Sequence, residues 1–250
     1  MKYMLIHAVD STETPNTPTC QAPDGALDAW IAEMTARGVV LDGARLHPVS
    51  DATTVRAPGG KLAVTDGPFA ETKEQVAGYD VIDCPDLDSA VAVAAAHPTT
   101  YVGSIEVRAF GKGMPDPDLT ETPAEGKFRY LMLVCADMRR AMAAAAEEPA
   151  GRAAPTKEDV DDGPDEVDAW IEMAGPRRLY GWALELPSEA VTVRRVDGEV
   201  VTTDGPFAET KEQIAGYDLL ECDDLDDALQ VAAGHPVADG GVLELRPLRQ

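Results

Sequence analysis

The sequence predicts an α+β protein that contains two similar domains in one chain. Three observations predict this fold class: a long internal repeat, a regular alternation of strand and helix patterns within the repeat, and first strands that are apolar on both faces. The repeat is the strongest of them. Segments 65–80 and 203–218, offset by 138 residues, are identical at 15 of 16 positions. Over segments 65–98 and 203–236 the identity is 25 of 34, where unrelated segments of this composition match at roughly 2 or 3 positions.

The first copy of the repeat shows its hydrophobic periodicities one after another. In order, they predict a strand (2–9), a helix (24–37), a strand (39–46), a hairpin (53–57 with 62–65), a strand (78–84), a helix (86–96) and a last strand (101–110). Gly38 follows the first helix as a stop, and Asp86 is placed to cap the second. With the hairpin taken as an insertion, this order is typical of a ferredoxin-like domain.

The boundaries follow from the repeat and from the proline content. Prolines at 115, 117 and 123 stiffen segment 113–126, which is therefore predicted to be a linker. The predicted domains are 1–112 and 127–250. The second copy carries about 13 additional residues between its first strand and first helix, and over 138–165 the repeat is not recognisable.

The first strand of each copy adds a prediction about assembly. Both faces of the strand are apolar, although helices in a two-layer domain cover only one sheet face. The opposing sets are Tyr3, Leu5 and Val9 against Met4, Ile6 and Ala8 in the first copy, and Tyr130, Met132 and Val134 against Leu131, Leu133 and Cys135 in the second. We therefore expect the two sheets to pack on each other as an intrachain pseudo-dimer, and the protein to be a monomer rather than a homodimer.

Composition and charge exclude several classes of protein. The 250 residues include 45 acidic and 21 basic side chains, for a net charge of −24, and each half of the chain is acidic. Binding to nucleic acid through phosphate neutralisation is excluded on this basis. The apolar run at the N-terminus ends at Asp10, too early for a signal peptide or a membrane span. The four cysteines show no zinc-site or disulfide spacing, and we expect a cytoplasmic protein with no membrane contact.

One motif resembles a known family. Asp66-Gly-Pro-Phe69, followed by Ala-Glu-Thr-Lys-Glu-Gln75 and Gly78-Tyr79, is similar to the DGPF motif of the YCII-related family, and the motif occurs in both copies. The resemblance implies a dimeric α+β-barrel fold and cytoplasmic bacterial proteins that mostly lack an assigned activity. Some relatives in the wider superfamily act on small cyclic or chlorinated aromatic-derived molecules, and others are linked to regulation beside sigma factors.

The residues of the motif support two interpretations. Asp66 and Gly67 have the chemistry of a structural turn, with Pro68 to restrict the backbone and Phe69 as an anchor. Alternatively, the loop concentrates acidic and basic groups on one support, as a ligand site does. The predicted ligand-binding residues are Arg56, Asp66, Glu71, Lys73 and Glu74, with their counterparts Arg194, Asp204, Glu209, Lys211 and Glu212.

Other candidates are interpreted as structural. His7 and His47 have no histidine counterpart in the second copy and are predicted to pack. His97 and His235 each precede a proline at a helix end, where a cation would suit the helix dipole. Glu106 and Arg108 share a strand face and are predicted to form an ion pair. No phosphate loop, serine triad or nicotinamide fingerprint is present, so neither a cofactor nor a metal site is predicted.

The functional hypothesis is binding of a small molecule at the DGPF loops, with acid/base chemistry on a small cyclic substrate. The alternative is a noncatalytic interaction or regulatory module associated with transcription (sigma-factor) control, which would use the acidic surface to bind a basic partner. The sequence leaves open whether the protein is an enzyme.

Overall fold

A computed structural model describes residues 1–10, 22–111, 124, 126–137 and 166–249. The second-copy insertion 138–165 and most of the predicted linker lie outside the described residues. The strands are β1 (Lys2–Asp10), β2 (Val40–Arg45), β3 (Thr53–Arg56), β4 (Ala63–Asp66), β5 (Glu74–Asp83), β6 (Gly103–Ala109), β7 (Phe128–Ala136), β8 (Arg178–Ala183), β9 (Val191–Val196), β10 (Glu199–Asp204), β11 (Gln213–Cys222) and β12 (Val242–Pro247). The helices are α1 (Ala26–Ala36), α2 (Leu87–Ala96), α3 (Glu166–Ala174), α4 (Leu225–Ala233) and the short α5 (Val237–Gly240).

These elements form two antiparallel six-stranded sheets, which confirms the α+β prediction. The strand orders are β10-β9-β6-β1-β5-β2 and β4-β3-β12-β7-β11-β8. Each sheet therefore has four strands from one copy and a hairpin from the other copy. The sheet that holds β1 is called the first sheet, and the sheet that holds β7 the second.

The exchange of hairpins is the main feature that the element order does not reveal. Hairpin β3-β4 of the first copy pairs with β12, where Val55 lies opposite Leu243. Hairpin β9-β10 of the second copy pairs with β6, where Val193 lies opposite Ile105. Backbone hydrogen bonds thus cross between the copies at two equivalent places, and each DGPF loop returns the chain from one sheet to the other.

The two sheets cover each other's inner faces, as the apolar first strands predict. The core between the sheets includes Met4, Ile6, Val81, Leu131, Leu133, Cys135 and Leu219. The outer faces are covered by helices: Trp30 and Met34 of α1 pack on the first sheet, and Trp170 of α3 packs on the second. Because one chain supplies both sheets, the inner faces are buried without a second molecule, and the monomer prediction remains to be tested in solution.

The local predictions agree with these elements to within a few residues. The Asp86 side chain accepts a hydrogen bond from the Ser89 amide at 2.8 Å and caps α2. The largest difference is β5, which begins at Glu74 because its pairing with β1 continues to Asp10. The end of the DGPF loop is therefore part of the sheet. None of the helices in the described part of the chain has the length and apolar character needed to cross a membrane.

Candidate functional site

The DGPF loops dock on the opposite copy through their phenylalanine amides. The Phe69 N–H donates to Glu244 Oε2 at 2.9 Å, and the Phe207 N–H donates to Glu106 Oε2 at 3.1 Å. Each glutamate is buried and is bound by an arginine two residues later on its own strand, Arg108 for Glu106 and Arg246 for Glu244. The predicted ion pair is therefore present, and it also presents a buried carboxylate to the loop of the other copy.

The rest of the motif is held by hydrogen bonds within the loop. The Gln75 side-chain amide donates to the carbonyls of Ala70 and Thr72, both at 3.0 Å. The Thr54 hydroxyl donates to the Gly67 carbonyl at 2.8 Å, and Gly67 has a positive φ of 100° that favours glycine. The second loop repeats these contacts. Most of the identity between the loops therefore has a structural explanation.

The charged residues of the predicted ligand set do not meet in one place. Arg56 lies 3.4 Å from Glu212, and Arg194 lies 3.3 Å from Glu74, so each arginine pairs with the glutamate that follows the opposite loop. The lysine side chains are 80% exposed at Lys73 and 75% exposed at Lys211. The four remaining carboxylate residues of the set are also exposed: Asp66, Glu71, Asp204 and Glu209.

The space between the two loops is small. The cavity there, lined by Phe69, Phe207 and the two buried glutamates among others, has a volume of about 20 Å³. A cavity of that size holds about one water molecule. The ligand site predicted at the loops stays a prediction, and the geometry places the larger candidate site elsewhere.

A much larger pocket opens in the first copy, with a volume of about 610 Å³. At its floor lie three buried polar residues, His7 on β1, Asp80 on β5 and His97 at the end of α2. His7 Nε2 is 2.9 Å from Asp80 Oδ2, and His97 Nε2 is 3.6 Å from the same oxygen. Both atoms are buried, and neither makes a hydrogen bond with any of the described residues. We call this cavity the His–Asp pocket.

The chain places this carboxylate by a close approach of two strands. Asp80 lies opposite Gly43 of β2, and a Cβ at Gly43 would be 2.2 Å from Asp80 Oδ1. In the second copy a Cβ at Gly181 would be 1.9 Å from Asp218 Oδ1. Glycine at these two positions is what allows the aspartate side chain to lie over the neighbouring strand.

His97 is neutral, and its protonated Nε2 lies beyond hydrogen-bond distance of the carboxylate. Its Nδ1 accepts the Thr99 N–H at 3.0 Å, so the single proton of the neutral ring is on Nε2. Burial, together with the nearby His7, lowers the pKa of His97 to about 3. Burial likewise lowers the pKa of His235 to about 4. The prediction of cationic helix caps is therefore wrong in charge: both rings lie at helix ends, but each is buried against a tryptophan, where desolvation opposes protonation.

The same tautomer bears on metal binding. The ligand atoms of His7, Asp80 and His97 all lie within 4.8 Å of one another, a spacing that could surround a cation. A metal ligand must offer an unprotonated nitrogen, and His97 Nε2 carries the ring proton as long as Nδ1 accepts the Thr99 amide. The donor set therefore fits proton chemistry better than metal binding.

The equivalent place in the second copy has a different composition. Val134 stands where the first copy has His7, since both face the equivalent glycine of the neighbouring strand. Arg178 stands where the first copy has Val40, and its Nε donates to Asp218 Oδ1 at 2.7 Å. The arginine thus satisfies the buried carboxylate, although burial still raises the pKa of Asp218 to about 6. His235 keeps the position of His97, with Nε2 3.9 Å from Asp218.

Sequence reasoning missed this site because it treated the histidines singly. His7 was predicted to pack because the second copy has no counterpart, and it does lie buried, but beside a carboxylate. The available signal was the pair of Asp80 and His97, which the repeat retains together as Asp218 and His235. A shared aspartate and a shared histidine on neighbouring elements are a stronger indication of a site than either alone.

Comparison with known proteins agrees with the duplication seen in the sequence. The YCII-related domain matches residues 1–110 and again residues 166–250. An uncharacterised protein of Rhizobium meliloti (strain 1021) is 51% identical over 69 residues, which is 26% of this chain and 54% of that protein. The chain therefore spans about half the length of this curated relative. Since the two family matches together cover most of the chain, the protein belongs to the YCII-related family and carries the domain twice.

Proposed function

We propose that the His–Asp pocket of the first copy binds a small molecule and exchanges a proton with it. The observation that carries the proposal is the pair of buried, unbonded atoms at the floor, His7 Nε2 and Asp80 Oδ2. Buried polar atoms normally have hydrogen-bond partners, and exceptions concentrate where a ligand or a reaction supplies them. The volume of about 610 Å³ is in the range of small-molecule sites.

The chemistry assigned to the floor is general acid/base catalysis. The His7 imidazole takes up a proton from an acidic C–H or O–H of the substrate, and the adjacent Asp80 carboxylate stabilises the imidazolium that forms. The same proton is then returned to the substrate at the original atom or at a neighbouring one, so no external oxidant or reductant is needed. His97 is kept neutral by burial and lies beside the carboxylate, with its Nε2 3.6 Å from Asp80 Oδ2, so it adds no charge to the floor.

The walls indicate the body of the substrate. Leu27, Ile31, Val49 and Val102 line the pocket, and the side chains of Ile31 and Val102 are more exposed than is usual for such residues. An apolar surface open to a cavity is covered by the apolar part of a ligand. A compact, cyclic substrate of mainly apolar character fits this lining. The alternative of a regulatory module rests on the family resemblance and on the acidic net charge, and no described contact adds to it.

The proposal is tested in two steps. A thermal-shift screen with small cyclic compounds first identifies binders, and proton NMR in D₂O then measures exchange of their acidic hydrogens for deuterium. We expect wild-type protein to catalyse the exchange and His7→Val, which introduces the residue of the second copy, to abolish it. The matched control is His235→Asn, which retains an acceptor for the Val237 amide and should leave exchange unchanged.

Two results would count against the proposal. Binders whose stabilising effect is the same in wild type, His7→Val and Asp80→Asn would place the binding site outside the His–Asp pocket. Binders that need the pocket but show neither deuterium exchange nor turnover would leave a binding protein without acid/base chemistry.

A further inference from the structure

The entrance of the His–Asp pocket is basic, in a chain of net charge −24. Arg45 at the end of β2 and Arg249 after β12 both line the pocket and are joined through the backbone, where the Arg249 N–H donates to the Arg45 carbonyl at 2.9 Å. Both side chains are exposed, and neither has an ion-pair or hydrogen-bond partner within the described ranges of the chain. With His47 they form what we call the rim.

A third arginine lies deeper in the same wall. Arg246 is buried, its Nη1 pairs with Glu244 at 3.1 Å, and its Nη2 donates to the His47 carbonyl at 2.9 Å. Its Nε is also buried and has no hydrogen-bond partner in the part of the chain that the structure describes. The third residue of the rim, His47, has an acidic neighbour, since its Nδ1 lies 3.2 Å from Asp51. The uncompensated positive charge at the rim therefore belongs to Arg45 and Arg249.

The second copy shows that this charge is not required by the fold. The backbone bond between Arg249 and Arg45 has an equivalent between Gly111 and Ala183, also 2.9 Å long. The position of His47 is taken by Glu185, whose N–H donates to the Ala109 carbonyl as the His47 N–H donates to the Pro247 carbonyl. The same framework is therefore built once with two arginines and a histidine, and once with glycine, alanine and glutamate.

The differences at the rim occur together with those at the floor. The first copy combines a floor in which His7 lies beside Asp80 with the basic rim, whereas the second combines an arginine-bound Asp218 with a neutral and acidic rim. A packing role for the floor would not require matching changes at an exposed rim on another strand. A ligand that contacts both the floor and the rim would require such matching changes.

We infer that the rim is an anion subsite and that the substrate class of the His–Asp pocket is a small carboxylate with an apolar body. This inference rests on the proposed function of the pocket. Guanidinium groups bind carboxylates in two-point geometry, and an anion held at the rim would place the apolar body against the walls and its far end near His7 and Asp80. The second copy contributes Arg249 to the rim and Arg246 behind it, so the subsite needs both copies.

The test compares carboxylates with their neutral amides. The probes are benzoate with benzamide, phenylacetate with phenylacetamide, and hexanoate with hexanamide, measured by calorimetry and thermal shift on the full chain. At least one carboxylate should bind more tightly than its amide, and Arg249→Gln or Arg45→Gln should weaken it by about tenfold, the usual size of one charged hydrogen bond. Added salt should weaken the carboxylate but not the amide, because both arginines are exposed.

Arg37→Gln is the matched control, since Arg37 is an exposed arginine at the end of α1 outside the pocket, and it should leave binding unchanged. Two results would overturn the anion subsite. One is that the carboxylates bind no better than their amides in all three pairs, and the other is that they bind to both rim variants as tightly as to the wild-type protein. A different result would contradict the proposed function itself. That result is binding, by compounds of any charge, that is unchanged in His7→Val and Asp80→Asn.

Discussion

The two copies keep the DGPF loops nearly identical but differ at the buried aspartate behind them. Each loop makes the same amide contact with a buried glutamate of the other copy, so the two loops have equivalent places in the junction of the two sheets. The two buried aspartates, in contrast, have different neighbours in the two copies. Asp80 lies beside His7 in an open pocket, whereas Asp218 is bound by Arg178. The comparison shows that the exchanged hairpins constrain both copies equally, while the pockets were free to diverge.

The arginine of the second copy is the strongest point at which to break this comparison. Arg178→Val leaves Asp218 buried without its counter-ion, and the loss of one partner of a buried pair typically costs about 3 to 5 kcal/mol of unfolding free energy. Adding Val134→His recreates the first-copy arrangement and should restore part of the loss. Urea unfolding at pH 7 measures both. A loss under about 1 kcal/mol for Arg178→Val would show that Asp218 does not depend on the arginine.

The pH dependence of stability sharpens the comparison at the histidines. The pKa of His97 is about 3 in the folded protein against 6.5 for an unperturbed histidine, so below about pH 6.5 the unfolded chain takes up a proton that the folded state does not. The free energy of unfolding therefore decreases as the pH is lowered through this window, by roughly 2 kcal/mol from pH 6.5 to pH 5. His97→Asn, whose side-chain oxygen can still accept the Thr99 amide, should lose less stability than wild type by that amount.

Two other groups set the baseline for this measurement. His235, with a pKa of about 4, acts in the same direction, and His235→Asn should also reduce the loss. Asp218, with its pKa raised to about 6, has the opposite sign, since the folded state binds its proton first as the pH falls below about 6. It affects wild type and His97→Asn alike and cancels in their difference. Parallel curves of unfolding free energy against pH for these two proteins would contradict a neutral, buried His97.

The smallest expected effect is at the loop lysines. Both are largely exposed, so Lys73→Met combined with Lys211→Met should change the unfolding free energy by no more than about 0.5 kcal/mol. The ligand-induced stabilisation of the His–Asp pocket should also remain. A double variant that folds normally but loses its ligand response would instead support the ligand site predicted at the loops.

The sequence by itself determined the local structure and the duplication. The period of the apolar residues places the first strand, the turn residues mark the hairpin, and Asp86 caps its helix, because each depends on neighbours within a few residues. The two apolar faces of the first strand also required that the sheets pack on each other. The turn interpretation of the DGPF motif also came from the sequence, since the conformational demands of Gly67 and Pro68 are local, and the ligand-site interpretation of the same residues stays a prediction.

Only the tertiary structure decided which copy each hairpin joins and where the pocket lies. Strand pairing between β3 and β12 depends on partners nearly 190 residues apart, for which the hairpin sequence carries no local signal. The His–Asp pocket depends on two paired strands and the end of a helix that packs beside them, so the separations of His7, Asp80 and His97 in the sequence form no recognisable motif. Whether an arginine binds the buried aspartate depended on one residue of an adjacent strand, Val40 or Arg178, and that contact exists only once the strands are side by side.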